Sequence, residues 1–359
     1  MEDLASKDNP DLSIVIPTWN GIDLLRRNLP SVLEAQRRLL VDGHLSSELI
    51  IVDDASTDET VDRVPLEFPS ARLVCRAKNG GFSKACNSGF GVCRAAVIAL
   101  LNNDVQVEPG YFIHQYTHFH DPNVFAVTAK VFEGRPPVFS AGGRFSRFRR
   151  GFWSVYFNYD IYGAEAGEWT GQHDLLSLYA IGGFATYDRR KLEELGGFNE
   201  LLSPFHWEDV DLSYRGWKRG WEVHYEPRSR ATHEISATID AHYHREHVEK
   251  VSFRNRLLFH WINLHSPWYF VQHLLMLCLL SVTRVFVLDF SFYRSLYGAL
   301  KLFPAVMHLR AREKRLCKRT DVQVHDLLQD FYNTAPIKVF RSEQEIVQFH
   351  NKNGESDTH

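Results

Sequence analysis

The chain has 359 residues, 44% of them hydrophobic and 24% charged, the make-up of an ordinary globular protein with room for one large domain and an appendage. A formal net charge of −3 gives no reason to expect a nucleic-acid partner. Cys75, Cys86, Cys93, Cys278 and Cys317 are scattered and form no C-x-x-C pair, so neither a disulfide framework nor a zinc knuckle is indicated, and reduced thiols in the cytosol are expected.

The first residues, MEDLASKDNPDL, have no basic n-region and no apolar core and do not read as a secretory signal. Leu12 to Pro17 (LSIVIP) is a short, β-branched apolar run, the pattern of a strand buried on both faces. A helical pattern follows over Asp23 to Leu40, then a second buried strand, Glu48 to Val52, ending in Asp53-Asp54. The spacing predicts a helix starting in Thr57 to Val64, a third strand at Leu73-Val74, a helix over Gly81 to Ala96 and a fourth strand at Val97 to Leu101. Strands alternating with helices in this way imply a parallel sheet with helices on both faces, where ligands sit at the carboxyl ends of the strands. The polar clusters fall at those ends: Thr18-Trp19-Asn20, Asp53-Asp54 and Asn102-Asn103-Asp104.

From 125 to 235 the pattern is mixed, with Gly- and aromatic-rich loops and a helix over Arg189 to Leu195 that ends in Gly196-Gly197. A domain boundary is placed at 236 to 245, dividing the chain into a lead-in (1–11), an α/β domain (12–240), a helical region (241–320) and a polar tail (321–359) without clear periodicity. Val248 to His265 reads as a helix, and His242, His244 and His247 line its start. The apolar stretch Pro267 to Leu288 is interrupted by Gln272, His273 and Arg284, which favours an interfacial helix over a spanning one, the alternative being a buried core or dimer helix. The basic runs Arg144 to Arg150 and Arg310 to Arg319 suit phosphates or anionic lipid. No internal repeat is visible.

Five constellations carry chemistry. Pro17, Thr18, Trp19 and Asn20 beside Asp53 and Asp54 offer a nucleotide pocket in which a carboxylate accepts the imide N–H of uracil or thymine; the plain alternative is a capped strand-to-helix turn. Asn79-Gly80-Gly81 before a helix lets backbone N–H groups approach an anion. Asn103-Asp104 at a strand end suits a hard divalent cation that neutralises a departing diphosphate. Trp207, Glu208, Asp209 and Asp211 crowd three carboxylates together, which raises a pKa and favours a general base, although an acidic first helical turn is also what the dipole prefers. His233, one of 18 histidines, can complete a metal site only with further support.

The strings SIVIPTWN, IIVDDASTDET, NGGFSKACNSGF, LLNNDV, GGFNE and FHWEDVDLSYR, in this order over residues 12 to 235, resemble the family 2 glycosyltransferases, and among them the rhamnosyltransferase-like group, where N-x-D replaces D-x-D. The resemblance implies a GT-A-type α/β fold, a Rossmann-like mostly parallel sheet with helices on both faces; the C-terminal helical, membrane-associated extension is expected from its own apolar and basic residues. It implies that Pro17, Trp19 and Asp54 hold the nucleoside with Asp53 beside them, and that Asp104 and His233 bind Mg2+ or Mn2+. Asp209 would be the base of an inverting transfer, and Gly182-Gly183 would line the donor-sugar and acceptor cleft. The implied partners are a UDP- or dTDP-sugar, a glycan or lipid-linked acceptor, a membrane surface and a second copy of the chain. Trp19 stands where tyrosine is commoner, and Asn103 where many members have aspartate. Three rival readings remain: a transferase acting on polyprenyl phosphate, a sugar nucleotidyltransferase and a non-catalytic sugar-nucleotide binder.

Overall fold

The computed structural model describes residues 9–134, 137–162, 169–233, 244–342, 344–346 and 349. β1 (Leu12–Thr18), β2 (Ser47–Asp53), β3 (Ala71–Cys75) and β4 (Val97–Leu101) alternate with α1 (Ile22–Gly43), α2 (Thr60–Glu67) and α3 (Phe82–Phe90) and stand parallel in the order β4-β1-β2-β3. Every residue of β1 is buried, because the pleat sends Ile14 and Ile16 into the core under α1 and Val15 into the core under α3. Gly89 is what lets α3 lie so close: a Cβ there would press on Val15 and Val52.

Of the helix boundaries that differ from expectation, two have a cause in side-chain hydrogen bonds. α2 starts at Thr60, not Thr57, because the amides of Thr57 and Asp58 donate to Asn20 Oδ1. α3 ends at Phe90, not Ala96: after Gly91 the chain turns back, and the amides of Arg94 and Ala95 donate to Glu48 and Ser13 beside the start of β4.

β5 (Val105–Val107), α4 (Tyr111–Tyr116), β6 (Val124–Glu133), β7 (Val138–Ala141), β8 (Gly143–Arg149), β9 (Phe152–Ile161), β10 (Leu175–Leu176) and β11 (Phe184–Asp188) follow, then α5 (Arg189–Leu195), α6 (Glu208–Lys218) and β12 (Glu222–His233). β11 enters antiparallel between β4 and β6, β12 runs parallel to β6, and the main sheet reads β10-β12-β6-β11-β4-β1-β2-β3. The sheet is therefore mixed, with its parallel half at the N-terminal side. Antiparallel pairing of β5 with β12 sets His233 opposite Val105, one residue from Asp104.

The C-terminal region is α7 (Arg245–Asn263), α8 (Pro267–Phe286), α9 (Phe290–Lys301), α10 (Phe303–Leu316), α11 (Asp321–Thr334) and β13 (Ile337–Phe340). The expected boundary at 240 does not separate two cores. Leu257, Leu258, Trp261 and Ile262 of α7 belong to the same buried cluster as Val15 and Val52. The segment expected to be a polar tail is also ordered in part. Thr320 and Gln323 form a capping box for α11, whose Val324, Leu328 and Phe331 are buried, and β13 pairs antiparallel with β9. Residues 234–243, which hold the expected boundary and His242, and the last nine residues lie outside the described residues.

α8 is not a core helix. One side rests on the domain, where His273 is buried with its Nδ1 facing Gly151 O at 2.8 Å, while Trp261 Nε1–H donates to its Nε2. The other side is open: Trp268 is 69% exposed and Phe286 82%, with Leu275, Leu279 and Val282 between them. This is the one described helix long and apolar enough to cross a membrane.

Candidate functional site

The strand ends open into a cavity of about 350 Å³ between the parallel half of the sheet and the N-terminus of α6. Pro17, Thr18 and Trp19 line one side of it with Asp54, Asn79 and Gly81. Asn103, Asp104 and His233 line a second side, and Gly182, Trp207, Glu208 and Asp209 a third. Asp54, Asp104 and Asp209, far apart in sequence, thus meet at one cleft.

Asp54 does not present a free carboxylate to this space. Its Oδ1 accepts from Arg76 and Gly80, and its Oδ2 from Gly80 and Gly81, at 2.8–3.1 Å. The glycine pair read as an anion cradle has its anion already, and that anion is Asp54. Gly81 has φ +80° and ψ 176°, a conformation open to glycine, and a Cβ there would press on Pro204. Sequence reading missed Arg76. Its signal is faint: one of two basic residues, with Lys78, in the four positions before Gly80.

Two other expected pocket residues serve the loops instead. Asp53 Oδ2 accepts from Ser56 N–H, and Asn20 Oδ1 caps the Thr57 and Asp58 amides while its own N–H donates to Ser56 Oγ. Neither they nor Gly80 line the cavity. They join the β1 and β2 ends into one rim. Asn103 lines it and also ties it, since its Nδ2–H donates to Thr18 Oγ1 at 2.9 Å and its carbonyl accepts from Asn28.

Asp104 is 5% exposed; its Oδ2 faces His233 Nε2 at 3.2 Å, and its Oδ1 has no hydrogen-bond partner. Burial alone would lower the pKa of His233, but Asp104 and Glu133 outweigh it and hold the imidazole up at about 9. A buried, unsatisfied carboxylate oxygen beside an imidazole in a negative potential fits a hard divalent cation held by Asp104 and His233.

At the opposite wall α6 begins abruptly. His206 and Trp207 both have positive φ, 69° and 74°, and the helix starts on Glu208 and Asp209. Asp209 accepts from Val210 N–H (2.8 Å) and Gly182 N–H (3.1 Å), which fixes its carboxylate at the cleft. Glu208 is buried and its Oε2 has no partner. Burial, then the charge of Asp209, pushes Glu208 up to about 8. Burial also raises Asp209, while the two amide bonds work to keep it ionised. The pair holds a proton at neutral pH, with Asp209 the better site for the negative charge.

Asp211, expected in the cleft, points the other way. It is fully buried, accepting from Arg215 Nε at 2.8 Å and Asn263 Nδ2 at 2.6 Å, and joins α6 to α7. Gly183 is also behind the surface: with φ +86° it packs on Asn102, whose N–H donates to the Gly183 carbonyl. Sequence reading passed over Tyr179, His206 and Pro204, which line the cavity. His206 was visible inside FHWED, but its Nε2 turns out buried and without a partner only once its positive φ is known.

Comparison with known proteins bears on the family and the fold. The model of the family described as Glycosyl transferase family 2 matches residues 13–196. The chain is similar to the probable polypeptide N-acetylgalactosaminyltransferase 8 of Homo sapiens, 24% identical over 246 residues that cover 62% of this chain and 36% of that protein. It is similar to the pre-mycofactocin glycosyltransferase of Mycobacterium tuberculosis, 26% identical over 227 residues covering 62% and 43%. The chain thus spans less than half the length of the curated relatives it matches. Among solved structures, GalNAc-T7 with UDP, GalNAc and Mn2+ superposes with a TM-score of 0.56 at 16% identity, covering 73% of this chain and 49% of that one, a likeness of fold. With more than half the sequence matched by the family and its strand-end cleft in place on a GT-A-like α/β fold, the chain belongs to glycosyl transferase family 2.

Proposed function

We propose that the cleft transfers a sugar from a nucleoside-diphosphate donor to an acceptor hydroxyl of a glycan or lipid-linked saccharide, with inversion at the anomeric carbon. The observation that carries this reading is the pairing, across one cavity, of a cation-type site (Asp104, His233) with a carboxylate pair, buried Glu208 and half-buried Asp209. Asp209, held ionised by two amides, takes the proton of the attacking hydroxyl, and Glu208 keeps its own proton and spares the site a second charge. Asp104 and His233 would hold Mg2+ or Mn2+, which would supply Lewis-acid neutralisation of the diphosphate. Trp19 offers a ring for the base, while Asp54 acts through the Asn79–Gly81 turn that it fixes.

A uridine or thymidine diphosphate donor, dTDP-rhamnose among them, is the preferred reading. GalNAc-T7 holds UDP and Mn2+ in a related fold, and the N-x-D string resembles the rhamnosyltransferase-like group. Screening UDP-, dTDP- and GDP-sugars for Mn2+-dependent hydrolysis tests it. Turnover confined to GDP-sugars overturns the base assignment, and nucleotide binding without any turnover overturns the transferase.

The open side of α8 continues through Leu288, Phe290, Tyr297 and Leu300, and the β8–β9 turn that His273 grips carries exposed Arg149 and Arg150. An apolar helix docked along one side, with arginines at its foot, suits the interface of an anionic bilayer better than a span. Flotation with phosphatidylglycerol vesicles tests this: Leu275→Asp with Leu279→Asp abolishes binding, and undiminished binding rules it out.

A further inference from the structure

Transfer as proposed uses one end of β12, at His233. The other end carries a second cluster, His118, Asp174 and His224, none of which lines the cleft. His224 and His233 lie opposite Val127 and Glu133 of β6, a separation on the order of 20 Å at about 3.3 Å per residue.

The topology assembles this cluster from three places. β10 pairs antiparallel with β12 so that Leu176 faces His224, which brings Asp174, just before the strand, alongside. His118 lies in the 3-10 turn Thr117–His120 after α4. α4 is tied to β12 by Gln115 Nε2–H donating to Ser229 Oγ and by Ser229 Oγ–H donating to Tyr111 O.

The distances are those of a coordination shell. His118 Nδ1 and His224 Nδ1 are 3.0 Å apart, and Asp174 Oδ1 is 3.4 Å from the first and 3.6 Å from the second. The edge of a tetrahedron with ligands about 2.05 Å from its centre is about 3.3 Å. The far nitrogen of each ring faces a carboxylate: His118 Nε2 lies 3.0 Å from Glu226 Oε2, and His224 Nε2 lies 3.2 Å from Glu222 Oε2. Carboxylates hold metal-ligating imidazoles by their other N–H in this way. A neutral imidazole has one N–H. If both are spent on glutamates, two lone pairs and an aspartate oxygen converge on one point, which is repulsive without a cation there.

We propose that His118, Asp174 and His224 bind a zinc-type divalent cation, separate from the cleft. Two imidazoles and one carboxylate, with Asp174 on the exposed rim leaving the fourth corner to water, favour zinc over magnesium, which takes oxygen ligands. The ion would pin the short edge strand β10 and the turn after α4 to β12, so its effect is on stability and not on transfer.

The test titrates metal-stripped, full-length chain with Co2+, whose tetrahedral complexes absorb strongly in the visible. The expected result is one equivalent of tetrahedral Co2+, displaced by Zn2+, in the unaltered chain and in Asp104→Ala alike, with loss of the band in His118→Ala and in Asp174→Ala. Asp174 is exposed and His118 sits partly buried in the turn after α4, so both substitutions spare fully buried His224. Zn2+ should raise the Tm of the unaltered chain and leave His118→Ala unmoved. No tetrahedral band, which is what a proton shared between the two rings would give, overturns the proposal. So does a band that survives His118→Ala, or one that disappears with Asp104→Ala and so belongs to the cleft.

Discussion

Asp209 and Asp211 stand two residues apart on α6 yet belong to different regions, the cleft wall and the helical buttress behind it. Asp211 is fully buried and Asp209 half-buried, and desolvation pushes both upward from the ordinary aspartate range. The difference lies in their partners. Asp211 meets a guanidinium and an amide side chain that also fasten α6 to α7, and Arg215 in turn donates to the carbonyls of Leu195 and Gly197. Asp209 has two backbone amides, a protonatable neighbour in Glu208, and open space in front. A carboxylate neutralised by an arginine serves cohesion; one held by amides beside a protonated carboxyl keeps a lone pair for chemistry.

Substitutions can break this contrast. Asp209→Asn should cost about 10²–10⁴ in turnover with donor affinity nearly unchanged, measured by steady-state kinetics and calorimetry. Near-full turnover would move the base elsewhere. Asp211→Ala should leave Arg215 as an unpaired buried charge and cost about 3–5 kcal/mol of stability in urea unfolding, while the folded fraction keeps its turnover. Loss of turnover without loss of stability would return Asp211 to the cleft.

Glu208→Gln sharpens the comparison through pH. A carboxyl raised from its ordinary 4.5 to about 8 binds its proton more tightly folded than unfolded, so its contribution to stability falls as pH rises across that window. The glutamine variant should therefore match the unaltered chain at pH 4.5 and exceed it by a few kcal/mol at pH 8, read from paired melts. Equal melts at both pH values would mean Glu208 is ionised in the fold. Asp104→Ala, at the far wall, should weaken Mn2+ binding about 10–100-fold, or roughly 1.4–2.8 kcal/mol, in calorimetry with and without donor. Unchanged affinity would remove Asp104 and His233 from the metal reading.

Much of the cleft was legible in the sequence. β1, β2 and β4 are uninterrupted apolar runs followed at once by polar residues, and parallel strands place such ends on one rim whatever else the chain does. Trp19, Asp104 and Asp209 follow from that rule and the motif strings. Less legible was which way a side chain on the rim would turn. Asp53 and Asp54 are adjacent, yet one caps Ser56 while the other collects Arg76, Gly80 and Gly81. The alternation of a strand predicts that they diverge but not which one reaches the cavity.

The sequence alone determined the alternating β/α half and the order of its polar strand ends, because period and burial are local properties written into each segment. Tertiary structure alone decided that β12 brings His233 to Asp104, that Asp211 belongs to α7 and not to the cleft, that α7 and α11 complete the core, and that His118 meets His224. Each depends on a pairing between residues far apart in sequence. No window along the chain contains both partners, and the register that joins them is set by the whole sheet.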